Sequence, residues 1–106
     1  MYYITHMIEV RQTETFAKWR AGLKDIRAAA RIDVRIRRLS LGHFGDAKTV
    51  GGRVSELRID YGPGYRIYFT RIGDQIVVLL CAGSKARQNA DIRRAQHIVK
   101  ELDDDT

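Results

Sequence analysis

The sequence predicts one small α+β domain spanning residues 1–106, ordered β-α-α-β-β-β-α: an antiparallel meander with two helices on one sheet face and a C-terminal helix. Three observations predict it. Apolar residues at helical spacing fill 14–42 and return in 87–102, while three strand-like runs follow one another directly between 54 and 83. No internal repeat or linker divides the chain.

Residues 2–10 alternate weakly, with Tyr3, Ile4, Ile8 and Val10 on a common pattern, and read as the first strand. Thr13 offers an N-cap to the helix ETFAKWRAGL, in which Phe16, Trp19 and Leu23 share a face and Gly22 loosens the end. In the second helix, DIRAAARIDVRIRRLSLG, Ile26, Ala29, Ile32, Ile36 and Leu39 form a dry side. Arg27, Arg31, Arg35 and Arg38 form a stripe opposite. HFGDAKTVGGR, residues 43–53, is rich in Gly and small polar residues and reads as a loop. VSELRIDY and YRIYFTRI alternate, and QIVVLLCAG is continuously apolar, as suits a strand covered on both faces. Gly62-Pro63-Gly64 and Gly73-Asp74 are the turns between them. RQNADIRRAQHIVKEL has Ile92, Ala95, Val99 and Leu102 at helical spacing, and ELDDDT reads as a frayed, solvated tail.

Composition bounds the function. There are 19 Lys+Arg against 13 Asp+Glu, a formal net charge of +6, and 14 of the cations are Arg. Guanidinium forks onto phosphate and stacks on bases, so such a surface either meets nucleic acid or is simply solvated. The single Cys81 sits in an apolar run and can build neither a disulfide framework nor a cysteine metal site. A reducing cytoplasm is the expected setting. The start MYYITHMIEV lacks the flank and core of a signal peptide, and no run is long enough to span a membrane. His6 and His97 have no companions at metal-ligand spacing, so neither metal nor cofactor is expected.

Alternation places Glu56, Arg58 and Asp60 on one side of their strand, and Arg66, Tyr68 and Thr70 on one side of the next. The expected polar face therefore presents Arg58, Arg66 and Tyr68, joined by Lys85 and Arg87 from the loop after the last strand. It is either a phosphate-handling surface or a lattice of cross-strand ion pairs in which Glu56 and Asp60 answer Arg58 and Arg66.

GDAKTVGG, VSELRIDYGPGYRIYF and LLCAGSKARQNADIRRA, taken in order, resemble the addiction-module killer proteins of the RelE/ParE superfamily, close to the HigB-like toxins. The resemblance covers roughly residues 8–98 and implies the RelE-like fold, in which two helices cover one sheet face and leave a concave basic face. It implies the toxin of a type II toxin–antitoxin module: a metal-independent, ribosome-dependent mRNA endoribonuclease that inhibits translation, or a ParE-like inhibitor that binds DNA gyrase without cutting RNA. The partners implied are a cognate antitoxin, the ribosome with its mRNA or, alternatively, gyrase, and no membrane. By match to the family, Arg66 stabilises the transition state, Arg58 is a basic strand position nearby, and Lys85 or Arg87 is the basic residue after the last strand. Tyr68 joins Arg66, Arg58 and Lys85 as a catalytic candidate, and Arg87, Arg53 and Lys48 are candidates for RNA contact. Glu56 stands where the best-known RelE-type toxins have lysine, and Ile92 stands about where they have tyrosine. The general base is then sought among Tyr68, Glu56 and His97.

Overall fold

The computed structural model describes residues 7–104. The elements are β1 (Glu9–Gln12), α1 (Glu14–Ala21), α2 (Ile26–Ser40), β2 (Ala47–Gly51), β3 (Val54–Ile59), β4 (Tyr65–Ile72), β5 (Ile76–Ser84) and, after a 3-10 turn over Lys85–Arg87, α3 (Gln88–Asp104). They form a five-stranded mixed sheet of order β1-β5-β4-β3-β2. β1 runs parallel to β5, and every other pair is antiparallel. The α+β class and the β3-β4-β5 meander are as expected.

Three expectations are corrected. Residues 43–53 are not all loop, because Ala47–Gly51 pair with β3 as an edge strand. The hairpin turns on Gly52 and Arg53, both at a φ of 61°, which matches the twist of the flanking strands. The opening strand lies at Glu9–Gln12 rather than 2–10, and the part of that expectation on residues 1–6 falls outside the described residues. The acidic end stays helical to Asp104, and Asp103 accepts from Arg53 at 2.9 Å.

Thr13 ties α1 to the sheet. Its hydroxyl accepts from Phe16 N at 3.0 Å, capping the helix, and donates to Leu80 O at 2.7 Å. Leu80 is the extra residue of a β-bulge: Tyr68 faces Cys81 while Phe69 faces Leu79. Thr13→Ala therefore removes a cap and leaves a bulge carbonyl without its donor. We expect a loss of about 1–2 kcal/mol in urea unfolding, with Thr13→Ser retaining most of it. An unchanged midpoint would mean that water replaces both bonds.

The bulge also resets which β5 residues face which side. Val77, Leu79 and Ala82 pack with Leu57, Ile59, Tyr65, Ile67 and Phe69 beneath α1 and α2, which contribute Phe16, Ala28, Ile32 and Leu39. Val78, Leu80 and Cys81 join Val54 and Tyr68 beneath α3, which contributes Ala95 and Val99. The sheet is thus covered on both faces. The expectation of an open polar face is corrected accordingly: α3 crosses it, Tyr68 and Glu56 are fully buried, and Arg66 is only 8% exposed.

Candidate functional site

Glu56, Tyr68 and Cys81 stand in a row across β3, β4 and β5, as their register dictates. One step along the same face, Arg58 is paired with Arg66. The first turn of α3 lies over the row. Gln88 Nε2 donates to Glu56 Oε2 at 2.7 Å, and the Asp91 carboxylate reaches so close to Gly83 that a Cβ there would overlap its Oδ2 and lie 3.1 Å from its Cγ. Cys81 Sγ–H donates to Asp91 O at 3.6 Å.

Four buried polar atoms converge here without a hydrogen-bond partner: Glu56 Oε1, Arg66 Nε, Tyr68 Oη and Asp91 Oδ2. Arg66 Nε stands 3.7 Å from Glu56 Oε1, an ion pair too long to be a hydrogen bond. Desolvation sets the electrostatics. Burial raises the Tyr68 phenol well above its ordinary range, with Glu56 and Asp91 adding to the shift, so the phenol keeps its proton. Burial pushes the Cys81 thiol up to about 12, and it raises the Asp91 carboxyl against the opposing pull of Arg87 and Arg94.

Beyond the start of α3 the sheet end carries Lys85 and Arg87 exposed on its rim, while Arg66 stays buried. The Gly62-Pro63-Gly64 turn closes over it: a Cβ on Gly64 would lie 3.4 Å from Lys85 Cβ and 3.7 Å from Arg66 Nη1, and Gly64 O accepts from Lys85 N at 2.6 Å. Arg58 bonds Asp46 Oδ1 at 3.0 and 3.2 Å through Nη2 and Nε, on the exposed rim. Arg87 is exposed and lies 3.9 Å from Asp91 Oδ1.

Arg66, Arg58, Lys85 and Arg87 are therefore brought to one end of the sheet. The other sequence candidates separate from them. Tyr68 lies beneath α3, where substrate cannot touch it. Arg53 sits at the opposite end of α3, in a groove of about 500 Å3 shared with His97 and Lys100, while His97 is paired with Glu101 at 2.8 Å. Lys48 is exposed on edge strand β2 in register with Glu56, so it extends the Glu56–Tyr68 row on the same face at its outer edge. Sequence reasoning carried Gln88, Asp91 and Gly83 only inside the segment LLCAGSKARQNADIRRA and gave none of them a place in the site. The signal was present for Asp91, which is in line with Ala95 and Val99 at four-residue spacing: a carboxylate inside an apolar stripe. Among the described residues no three His, Cys, Asp or Glu gather as a metal-binding group, and no helix is long and apolar enough to cross a membrane.

No protein-family model matches the chain. A Haemophilus influenzae protein (strain ATCC 51907 / DSM 11121 / KW20 / Rd) described as "Uncharacterized protein" is 45% identical over 95 residues, which cover 90% of this chain and 96% of the relative. At that identity, over nearly the full length of both proteins, the chain belongs to the same family as this Haemophilus influenzae protein.

Proposed function

We propose that the chain is the toxin of a type II toxin–antitoxin module with a RelE-like fold, acting in the cytoplasm as a metal-independent, ribosome-dependent mRNA endoribonuclease held silent by a cognate antitoxin. The observation that carries this reading is the cluster of Arg58, Arg66, Lys85 and Arg87 at one end of the sheet, where Lys85 and Arg87 are exposed and Arg66, 8% exposed, lies just beneath them. Cleavage by attack of a ribose 2′-hydroxyl on the adjacent phosphate builds negative charge on the phosphoryl oxygens, and preorganised guanidinium and ammonium groups stabilise it. Arg66 is the best preorganised, because Glu56 and the Gly64 turn hold it in place. Arg58, Lys85 and Arg87 would neutralise flanking phosphates. The +6 net charge favours both RNA and an acidic antitoxin.

One observation favours the second reading, a gyrase inhibitor that acts by binding. The two proton-transfer candidates beside Arg66, Glu56 and Tyr68, are buried, and His97 is at the far end of α3. Primer extension on cellular messages after induction, run beside a gyrase cleavage assay, separates the two. We expect transcripts cut within codons only while they are translated, and rescue by co-expression of the antitoxin. Intact transcripts with accumulating gyrase–DNA breaks would establish the second reading, and growth unimpaired by the induced chain would remove both.

A further inference from the structure

Gln88 is the inward-facing member of an exposed run. Lys85, Ala86, Arg87, Asn89 and Ala90 around it are exposed, and Gln88 alone among them is half-buried. It bonds in two directions. Its backbone N–H donates to Lys85 O and closes the 3-10 turn, while its side-chain Nε2 donates to Glu56 Oε2 at 2.7 Å, 32 residues away in sequence. Those bonds complete a closed circuit. Glu56 Oε1 stands 3.7 Å from Arg66 Nε, a Cβ on Gly64 would lie 3.7 Å from Arg66 Nη1, and Gly64 O accepts from Lys85 N at 2.6 Å. Lys85 on the turn and Arg66 on β4 are thus held relative to each other twice, through the Gly64 turn and through Gln88 with Glu56.

A neutral amide suits this place better than a charged donor. It satisfies one oxygen of a fully buried carboxylate and leaves the negative charge uncancelled for Arg66. A lysine at 88 would cancel that charge itself. Arg66 Nε is buried with Glu56 as its neighbour, and Nη1 donates to Tyr65 O at 3.2 Å. The planar guanidinium is therefore fixed at two of its three nitrogens, and a phosphate can meet it only along its Nη edge. Seating α3 on the sheet would need no such bond, because Ala95 and Val99 already supply an apolar contact.

We propose that Gln88 is a positioning residue for the phosphate site. By holding Glu56 it aims the Nη edge of Arg66, and by closing the turn it sets Lys85 and Arg87 at a fixed distance from that edge. Gln88 acts through Arg66 and makes no contact with the phosphate. Its consequence for cleavage rests on the endoribonuclease reading, whereas the orientation of Arg66 is measured without it.

The test follows exchange of arginine Nε–H protons with water by heteronuclear NMR on the full chain, with Arg66 assigned by its loss in Arg66→Lys. In the parent the Arg66 proton should exchange at least about tenfold more slowly than that of exposed Arg87. Gln88→Met keeps the length of the side chain and removes the donor. It should speed Arg66 exchange about fivefold, while the backbone amides of Ala95 and Val99 stay as protected as in the parent. Gln88→Glu supplies a rescue, because its protonated acid donates to Glu56 and its ionised form repels it. The charged and titratable groups around Glu56 are Arg58 on its own strand, Arg66 and Tyr68 on β4, Lys48 on β2 and Asp91 on α3. All are common to both chains, so each pH is compared with the parent. Gln88→Glu should match the parent at pH 5 and Gln88→Met at pH 8. Arg66 exchange unchanged in Gln88→Met overturns the proposal. So does faster exchange of the Ala95 and Val99 amides in step with it, which would make Gln88 a helix seat only. On the endoribonuclease reading, Gln88→Met should lower kcat on translated messages about tenfold with KM within about twofold. A parent chain that cuts no message removes that reading, and the exchange result alone then decides the positioning role.

Discussion

Arg66→Ala is expected to lower stability by about 3 kcal/mol and, on the endoribonuclease reading, to lower the cleavage rate on the order of 10²- to 10³-fold. The stability loss follows from Glu56. Its carboxylate is fully buried, one oxygen is held by Gln88, and the other has only the Arg66 guanidinium, 3.7 Å away, to balance its charge. Removing one partner of a buried pair leaves the other's desolvation uncompensated. The ion pair is longer than a hydrogen bond, which sets the figure at the low end of the usual range. Two different causes would thus reduce toxicity in a single variant, and a second substitution separates them. Glu56→Gln with Arg66→Ala removes the orphaned charge, so the double variant should recover most of the stability while cleavage stays lost. Arg58→Ala and Lys85→Ala should each lose less rate, Arg58 being half committed to Asp46 on the rim. If the stable double variant still cuts translated messages at the parent rate, Arg66 is a structural cation and the catalytic assignment moves to Lys85 and Arg87.

Sequence periodicity carried the fold a long way. YRIYFTRI matches β4 residue for residue, and Thr13 is the cap it resembled. Periodicity failed where its physics is silent. Alternation says which side chains share a face and nothing about whether that face is covered, so Glu56, Arg66 and Tyr68 looked solvated when all three are buried, Tyr68 beneath the apolar stripe of α3, Glu56 against Gln88 and Arg66 beside the Gly64 turn. The edge strand AKTVG was hidden by its own turn: Gly51, Gly52 and Arg53 all take positive φ, and the glycines that permit the hairpin read as a loop. On α2 the expected dry side holds at Ala29, Ile32, Ile36 and Leu39, but Ile26 at the helix start is exposed and Ala28 is buried in its place, which only packing against the sheet decides. The site was legible as a list of arginines. Which of them converge depended on the direction of α3 across the sheet, and that direction follows from long-range packing: Ala95 and Val99 on Val54, Tyr68 and Leu80, with Gln88 bonded to Glu56 at the first turn.

Gly83→Ala tests that placement of α3 more directly than any change of charge. Gly83 is the last residue but one of β5 and needs no unusual backbone, so its absent side chain is a matter of space: the added methyl would meet the Asp91 carboxylate on the first turn of α3. Asp91 is 3% exposed, so its carboxylate is enclosed on the side away from Gly83 as well. The expected outcome is a loss of about 1–3 kcal/mol as the first turn of α3 lifts from the sheet. Cys81 reports the movement independently. Its thiol is buried, held toward Asp91 O, and pushed up to about 12, so iodoacetamide at pH 8 should leave the parent protein unlabelled and label Gly83→Ala measurably faster. Asp91→Ala in the same background removes the obstructing group, and the two changes together should cost less than their sum, because residues in contact couple. Strict additivity in stability, with labelling as slow as in the parent, would mean that α3 does not seat its first turn on Gly83. The convergence of Arg66, Lys85 and Arg87 at the sheet end would then lose its structural basis.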